Sequence, residues 1–355
     1  MAENMRAFVI KQVGETGVVE KPVPQPGPEE AVVRSTAALI CTSDVHTVRG
    51  ALPVEPGRTL GHESVGVIHS LGSAVSGFTE GQRVTVCAVT PCYRCSYCQR
   101  GFTSQCGGAL GGYKYTTQID GSMAEYFVVP AAAANLTPIP DGISDEQAVY
   151  TCDMLTTGFV GAEHAYLQFG ETVAVFAQGP VGLCATMGAN LMGAGRIIAV
   201  ESRPERQALA KRFGADDIVD FTQGDPVDQI MDLTGGVGVD AAIEAFGFPQ
   251  TFEACVRVTK AGGRVSNVGY HGENPEPLQL PLDAIGLGMN DKSIHTGLCP
   301  GGSERMTRLL RLLESGRIDP TPMTTHTFPF DRVDEAFELM STKGDGIVKP
   351  LITFG

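Results

Sequence analysis

Residues 172–182 read TVAVFAQGPVG and residues 196–202 read RIIAVES. An apolar β-branched run, a glycine turn, an apolar helical stretch to Met192 and a second apolar run are the parts of one parallel βαβ unit. The turn departs from the G-x-G-x-x-G fingerprint at its first position, where Ala177 replaces glycine, and keeps Gly179 and Gly182. Its context is right: it follows a strand, opens a helix at Pro180 and Val181, and precedes Glu201 at the end of the next strand, about 20 residues on. Backbone amides at such a helix start can hold a pyrophosphate, and the Glu201 carboxylate can accept both hydroxyls of a ribose. The bland alternative for Glu201 is a solvated strand-end charge.

Working outward, the alternation continues through a helix from Pro204, the strand DIVDF, a helix over Pro226 to Leu233, the strand VDAAIEAF, a helix near Gln250 to Val258 and the strand GRVSNVG. Five strands with crossovers predict a doubly wound parallel sheet. Up to about Tyr150 the texture differs: AVVRSTAAL, ESVGVIHSLG, QRVTVCAV and MAEYFVV are short β-branched runs broken by glycine and proline, a turn-rich β unit. After LCPGG at Leu298 to Gly302, SERMTRLLRLLESGRI has helical periodicity ending at Gly316, and IVKPLITF reads as a strand returning to the first unit. A chain of 355 residues exceeds what one core usually organises, so two domains are expected.

The net charge of −14, from 40 acidic against 26 basic side chains, repels phosphate backbones and anionic membranes, which argues against nucleic acid as a partner. The start MAENMRAFVIKQ lacks the features of a signal peptide, and no apolar run reaches the roughly 18 residues that span a bilayer. A cytoplasmic protein is expected. In a reducing compartment, ten cysteines are metal ligands, a catalytic group and buried small hydrophobes sooner than disulfides.

Four of them, Cys92, Cys95, Cys98 and Cys106, form a C-x2-C-x2-C-x7-C array. Thiolates converging from one short lobe match the tetrahedral all-sulfur demand of a closed structural zinc site; an iron–sulfur cluster shares the ligands, but a dehydrogenase-like sheet alongside favours zinc. A nucleic-acid-binding finger is opposed by the acidic charge. A second set is dispersed: Cys41 in ICTSDVH, His62 and Glu63 in LGHES, and Asp153 in TCDMLTTGF. Thiolate, imidazole and carboxylate are the donors a catalytic zinc uses when three protein ligands leave one position open. Taken singly, such residues are more often core filler, a satisfied turn residue or a helix cap. Their joint occurrence changes the odds.

Through CTSDVHTV, LGHES, DMLTTGFVGAE, GAGRII, SNVGYHG and GLCPGG the chain resembles the zinc-dependent medium-chain alcohol dehydrogenases, and within them the secondary-alcohol (isopropanol) branch, over essentially its whole length. The resemblance implies an α/β protein: a GroES-like β-rich catalytic domain over 1–153 and 298–355 with both zinc sites, and a Rossmann cofactor domain over 154–297, with a cleft between them and usually a homotetramer. It implies Cys41, His62 and Asp153 as catalytic zinc ligands, Glu63 as an acidic neighbour that joins or leaves the metal shell, and Ser43 and His46 as a proton relay. Ala88, Tyr113, Tyr270 and Leu298 align with positions lining the substrate pocket. The expected activity is reversible hydride transfer between a secondary alcohol and a ketone; a polyol or a primary alcohol and its aldehyde are the alternatives within the family. Two features depart from the branch. All four lobe cysteines are kept, which implies two zinc ions per chain. Glu201 stands where relatives that prefer NADP often carry glycine, and its charge would repel a 2′-phosphate, so NAD is expected; Arg203, two residues on, could still pair with phosphate and leaves NADP as the alternative.

Overall fold

The strand runs TVAVF, RIIAV and VDAAIE are buried almost throughout, as parallel strands covered on both faces must be. The computed structural model describes residues 3–273 and 276–355. In chain order its strands are β1 (Asn4–Gln12), β2 (Glu15–Pro22), β3 (Ala31–Leu39), β4 (Ser64–Leu71), β5 (Arg83–Val86), β6 (Tyr126–Val129), β7 (Leu136–Pro138), β8 (Thr172–Phe176), β9 (Arg196–Val200), β10 (Asp217–Val219), β11 (Val239–Glu244), β12 (Thr259–Asn267), β13 (Ser293–Thr296), β14 (Thr324–Pro329) and β15 (Lys349–Thr353). Its helices are α1 (Thr42–Val48), α2 (Ser96–Gln99), α3 (Ala132–Asn135), α4 (Asp145–Val149), α5 (Met154–His164), α6 (Pro180–Leu191), α7 (Pro204–Arg212), α8 (Pro226–Leu233), α9 (Pro249–Val258), α10 (Ser303–Glu314) and α11 (Val333–Thr342).

Two compact units emerge, Met1–Thr156 with Pro300–Gly355, and Thr157–Cys299. In the first, a β1–β2 hairpin accompanies a seven-stranded sheet of order β14-β15-β3-β4-β5-β7, with β6 also pairing β3. The chain's end closes this sheet, because β15 runs antiparallel to β3 with Leu351 opposite Leu39. One core of the unit joins Phe8, Ile40, Val45 and Leu60 to Phe337 and Met340 of α11; another packs Val33, Ile68, Val84, Tyr115 and Phe127 inside the sheet.

The second unit is a parallel sheet of order β10-β9-β8-β11-β12-β13. That is the doubly wound order, whose reversal between β8 and β11 marks where ligands bind. Its core runs from Phe176, Ile198 and Val200 to Phe252 and Val256 of α9. The sheet has six strands, one more than the five read from the sequence. The missed strand, SIHT, is a half-exposed edge with alternating burial and three polar residues, so it lacks the continuous apolar run that marks its neighbours.

Candidate metal centres and cofactor-binding edge

Cys41 leaves β3 and caps α1, while His62 and Glu63 lie in the turn entering β4, the strand paired with β3. Gly61 makes that turn. Its φ is +89°, and a Cβ there would lie 2.8 Å from the backbone nitrogen of Met123. Asp153, just ahead of α5, completes the set: donor atoms of Cys41, His62, Glu63 and Asp153 all lie within 4.8 Å of one another. His62 Nε2 faces this set, 3.3 Å from Asp153 Oδ2 and 3.8 Å from Glu63 Oε1, and Cys41 Sγ is 3.9 Å from Asp153 Oδ2. The opposite ring nitrogen, Nδ1, faces the Tyr113 hydroxyl at 3.0 Å and Asp44 Oδ1 at 3.4 Å. A carboxylate behind a histidine is the usual device for fixing the ring of a metal ligand.

The charge balance of the site fits a cation. Burial pushes the Glu63 carboxyl up to about 7, against the pull of Lys349, and Glu63 Oε2 is buried without a partner. Burial alone would depress the His62 pKa, but the Tyr113 oxygen and the Asp44 and Asp153 carboxylates raise it well above 6.5. Ser43 Oγ lies 3.4 Å from His62 Nε2, at the metal side of the ring, and His46 follows three residues along α1.

The second cluster is local. Cys92, Cys95, Cys98 and Cys106 also place their sulfurs within 4.8 Å of one another. Backbone N–H groups of Arg94 and Cys95 donate to Cys92 Sγ, that of Cys92 to Cys106 Sγ and that of Gly107 to Cys95 Sγ, at 3.3–3.4 Å. Amides of Cys98 and Gly107 lower the Cys95 thiol to about 6, while burial pushes Cys98 up to about 12. Four sulfurs converging from one lobe are the donor set a tetrahedral thiolate-bound ion takes. The lobe is fastened by Arg94, which donates to both Glu29 oxygens at 2.5 and 2.7 Å, and by the Tyr93 hydroxyl, which donates to the Gly301 carbonyl at 2.9 Å. All ten cysteines are free thiols, and Cys87, Cys152, Cys184, Cys255 and Cys299 are fully buried.

In the second unit, α6 begins with Gly179 as N-cap, Pro180 at its first position and no side chain capping its amides. A Cβ on Gly182 would lie 1.9 Å from the Ala177 carbonyl oxygen, so the turn demands glycine there. Ala177 itself is held at φ +68°. Glu201 at the end of β9 is 5% exposed; its Oε1 accepts from the amides of Ser202 and Arg203 and its Oε2 from that of Gln178. Arg206 NH1 lies 3.7 Å from the same carboxylate.

Residues 27–141 match the family described as alcohol dehydrogenase GroES-like domain, and residues 180–315 match that described as zinc-binding dehydrogenase. An alcohol dehydrogenase of Cupriavidus necator is 46% identical over 98% of each chain. The NADP-dependent isopropanol dehydrogenase of Thermoanaerobacter brockii is 47% identical over 98% of this chain and 99% of its own. Among solved structures, the alcohol dehydrogenase TADH from Thermus sp. ATN1 superposes with a TM-score of 0.90 at 32% identity, over 99% of this chain and 100% of that one. The chain belongs to the zinc-dependent medium-chain alcohol dehydrogenases. Its relatives place it in the secondary-alcohol branch, and it is an oxidoreductase that uses a nicotinamide cofactor.

Of the residues expected to line the dehydrogenase's substrate pocket, Tyr113 reaches His62 and Ala88 is buried beyond β5, its amide donating to the Cys152 carbonyl. Tyr270, which is exposed, and Leu298, which is partly exposed, belong to the other unit. Two buried charges beside the Cys41, His62, Glu63 and Asp153 cluster escaped sequence reasoning. Asp44, 3% exposed, accepts from the amide of Cys41 at 2.9 Å and that of Gly61 at 3.1 Å. Lys349, fully buried, donates to Glu63 Oε1 at 2.6 Å. An acid three residues past the cap of α1, and a lone lysine inside the apolar run IVKPLITF, were the available signals. No helix among the described residues is long and apolar enough to cross a membrane.

Proposed function

We propose that this enzyme interconverts secondary alcohols and ketones with NAD as the preferred cofactor, the first unit carrying both zinc sites and the second the cofactor. The observation that carries the reading is the convergence of Cys41, His62 and Asp153, three donors of the types a catalytic zinc takes, beside the Ser43 hydroxyl. Zinc held there supplies Lewis acidity that lowers the pKa of a substrate hydroxyl, and the nicotinamide supplies the hydride acceptor. Ser43 takes the hydroxyl proton, and His46, farther along α1, relays it toward solvent. Asp44 and Tyr113 keep Nε2 of His62 turned to the metal side. The amides of the first turn of α6 receive the cofactor's pyrophosphate. The secondary-alcohol assignment rests on the isopropanol-dehydrogenase relatives. A homotetramer is the family's usual assembly, checked by light scattering, and ten cysteines outside any disulfide suit the cytoplasm.

For the cofactor, the buried Glu201 carboxylate stands where a 2′-phosphate would bring further negative charge. A second reading, NADP, is favoured by Arg203 and Arg206 in the same turn and by relatives named NADP-dependent. Initial rates on a panel of alcohols and ketones with each cofactor decide, for the parent and for Glu201→Gly. The proposal requires the parent to favour NAD and the variant to shift toward NADP; a parent that favours NADP refutes it. Cys41→Ser should abolish turnover while the fold and one zinc per chain remain, and a near-normal rate would remove Cys41 from the site.

A further inference from the structure

A lysine with no exposed surface has to be explained, because burying an ammonium is unfavourable by several kcal/mol unless it is paired. Lys349 comes from the far end of the chain, 286 residues from its partner Glu63. Backbone register delivers it: β15 lies antiparallel to β3, the Leu39 amide donates to the Glu63 carbonyl at 2.9 Å, and the Ile40 amide to the Pro350 carbonyl at 3.4 Å. The segments bearing Cys41, Glu63 and Lys349 are thereby locked side by side. Its ammonium takes Glu63 Oε1, the oxygen 3.8 Å from His62 Nε2, while Oε2 is left buried and unpartnered. Glu63 is thus close enough to count among four donors, yet one of its oxygens is occupied. Charge adds to this. Cys41, Asp153 and Glu63 as anions exceed a dication by one unit, and the ammonium cancels that unit.

We propose that Lys349 is a positioning residue that holds Glu63 beside the metal instead of on it, keeping the fourth coordination position open to substrate. The ammonium and the metal compete for the same carboxylate, and a hydrogen bond to a charged donor at 2.6 Å is a strong competitor. Without it, Glu63 becomes a permanent fourth ligand and closes the site. This rests on Cys41, His62 and Asp153 being the ligands of the catalytic zinc.

The test is cobalt substitution of the full-length enzyme, with imidazole as the probe of the open position and a chromogenic chelator to time zinc release. The difference spectrum between the parent and Cys41→Ser isolates the band of this centre. Absence of a Cys41-dependent band refutes the ligand assignment itself. Given that band, Lys349→Met should weaken the imidazole response at least about 10-fold and slow zinc release by a comparable factor, the scale on which outer-shell partners act. Adding Glu63→Gln should restore both, and Lys349→Arg should behave like the parent. An imidazole response and a release rate in Lys349→Met equal to those of the parent overturn the proposal, as does a double variant no better than the single one. If Lys349→Met does not fold, a folded double variant with a parental imidazole response supports the role, because only Glu63's charge then needed the lysine. A double variant that also fails to fold overturns it in favour of simple packing.

Discussion

Asp44→Asn is the sharpest perturbation of the proposed catalytic centre that leaves every donor in place. In the native chain, Asp44 Oδ2 accepts from the Cys41 amide at 2.9 Å, and Oδ1 accepts from the Gly61 amide at 3.1 Å while facing His62 Nδ1 at 3.4 Å. One carboxylate therefore ties the segments carrying two of the three proposed zinc ligands. Asparagine keeps the shape and one acceptor oxygen, but its NH2 group must meet one of two buried N–H donors. Leaving a buried donor unmet costs about 1–3 kcal/mol, and the remaining hydrogen bond loses its charge, for a further ~1 kcal/mol. The sum is about 2–4 kcal/mol. In a unit of roughly 200 residues each kcal/mol lowers the melting temperature by about 2–4 °C, so a fall of about 5–15 °C is expected. Zinc affinity at the Cys41 site should drop about 10–100-fold, because His62 loses its orienting carboxylate. Melting of the zinc-depleted protein and competition with a chelator of known affinity measure the two effects separately. A variant that melts within 2 °C of the parent (about 0.5–1 kcal/mol) and binds zinc equally well would refute the role given to Asp44.

Three other outcomes follow from particular residues. Cys95→Ser opens the four-sulfur lobe, so metal analysis should find zinc falling from two ions to one per chain while the Cys41-dependent cobalt band persists. Ala177→Gly relieves an alanine held at φ +68°, worth about 1–2 kcal/mol, against roughly 0.4–1 kcal/mol for the added freedom of the unfolded chain; a melting temperature unchanged or slightly raised is expected, and a clear fall would contradict the strain. Partial burial would raise the Asp120 pKa, but the Lys21 ammonium, the Thr59 amide and nearby Arg58 hold it below its ordinary 3.8. Its stabilisation is therefore present above that value and lost as pH falls through the lowered one, so Lys21→Met should lower the neutral plateau of a stability–pH curve slightly and flatten its acid limb, leaving the most acid end unmoved.

The doubly wound unit was legible because its signals are local. An apolar strand, a glycine turn and a helix starting at proline recur within about 30 residues, the span of one βαβ unit. The Cys92–Cys106 lobe was legible for the same reason, since one short loop carries all four sulfurs. Cys41, His62 and Asp153 are different. Nothing near Cys41 in the chain says that Asp153, 112 residues away, will come within 3.9 Å of its sulfur; that follows from β3 pairing β4 and from α5 starting at Met154. Their joint occurrence offered them as one zinc set, and resemblance to a family implied which of them are ligands. β13 was missed because a polar edge strand is written in alternating burial, a weaker pattern than a buried run.

Asp44 and Lys349 show why the rest was hidden. A buried charge is tolerated only through what lies opposite it, and what lies opposite is decided by sheet register rather than by neighbours in sequence. Asp44 answers two backbone amides and a histidine; Lys349 answers a carboxylate that would otherwise compete for the metal. Read locally, the first is a helix cap and the second a flaw in an apolar strand. The two centres consequently depend on the fold in different ways. The four-sulfur lobe has its donors and its N–H···S bonds within residues 92–107, so a metal bound there would organise the loop that holds it. The proposed catalytic donors are placed by β3, β4 and the start of α5, with β15 bringing Lys349 alongside, elements held by their own pairing and core, so that geometry precedes the metal and is available to be tuned by single outer residues.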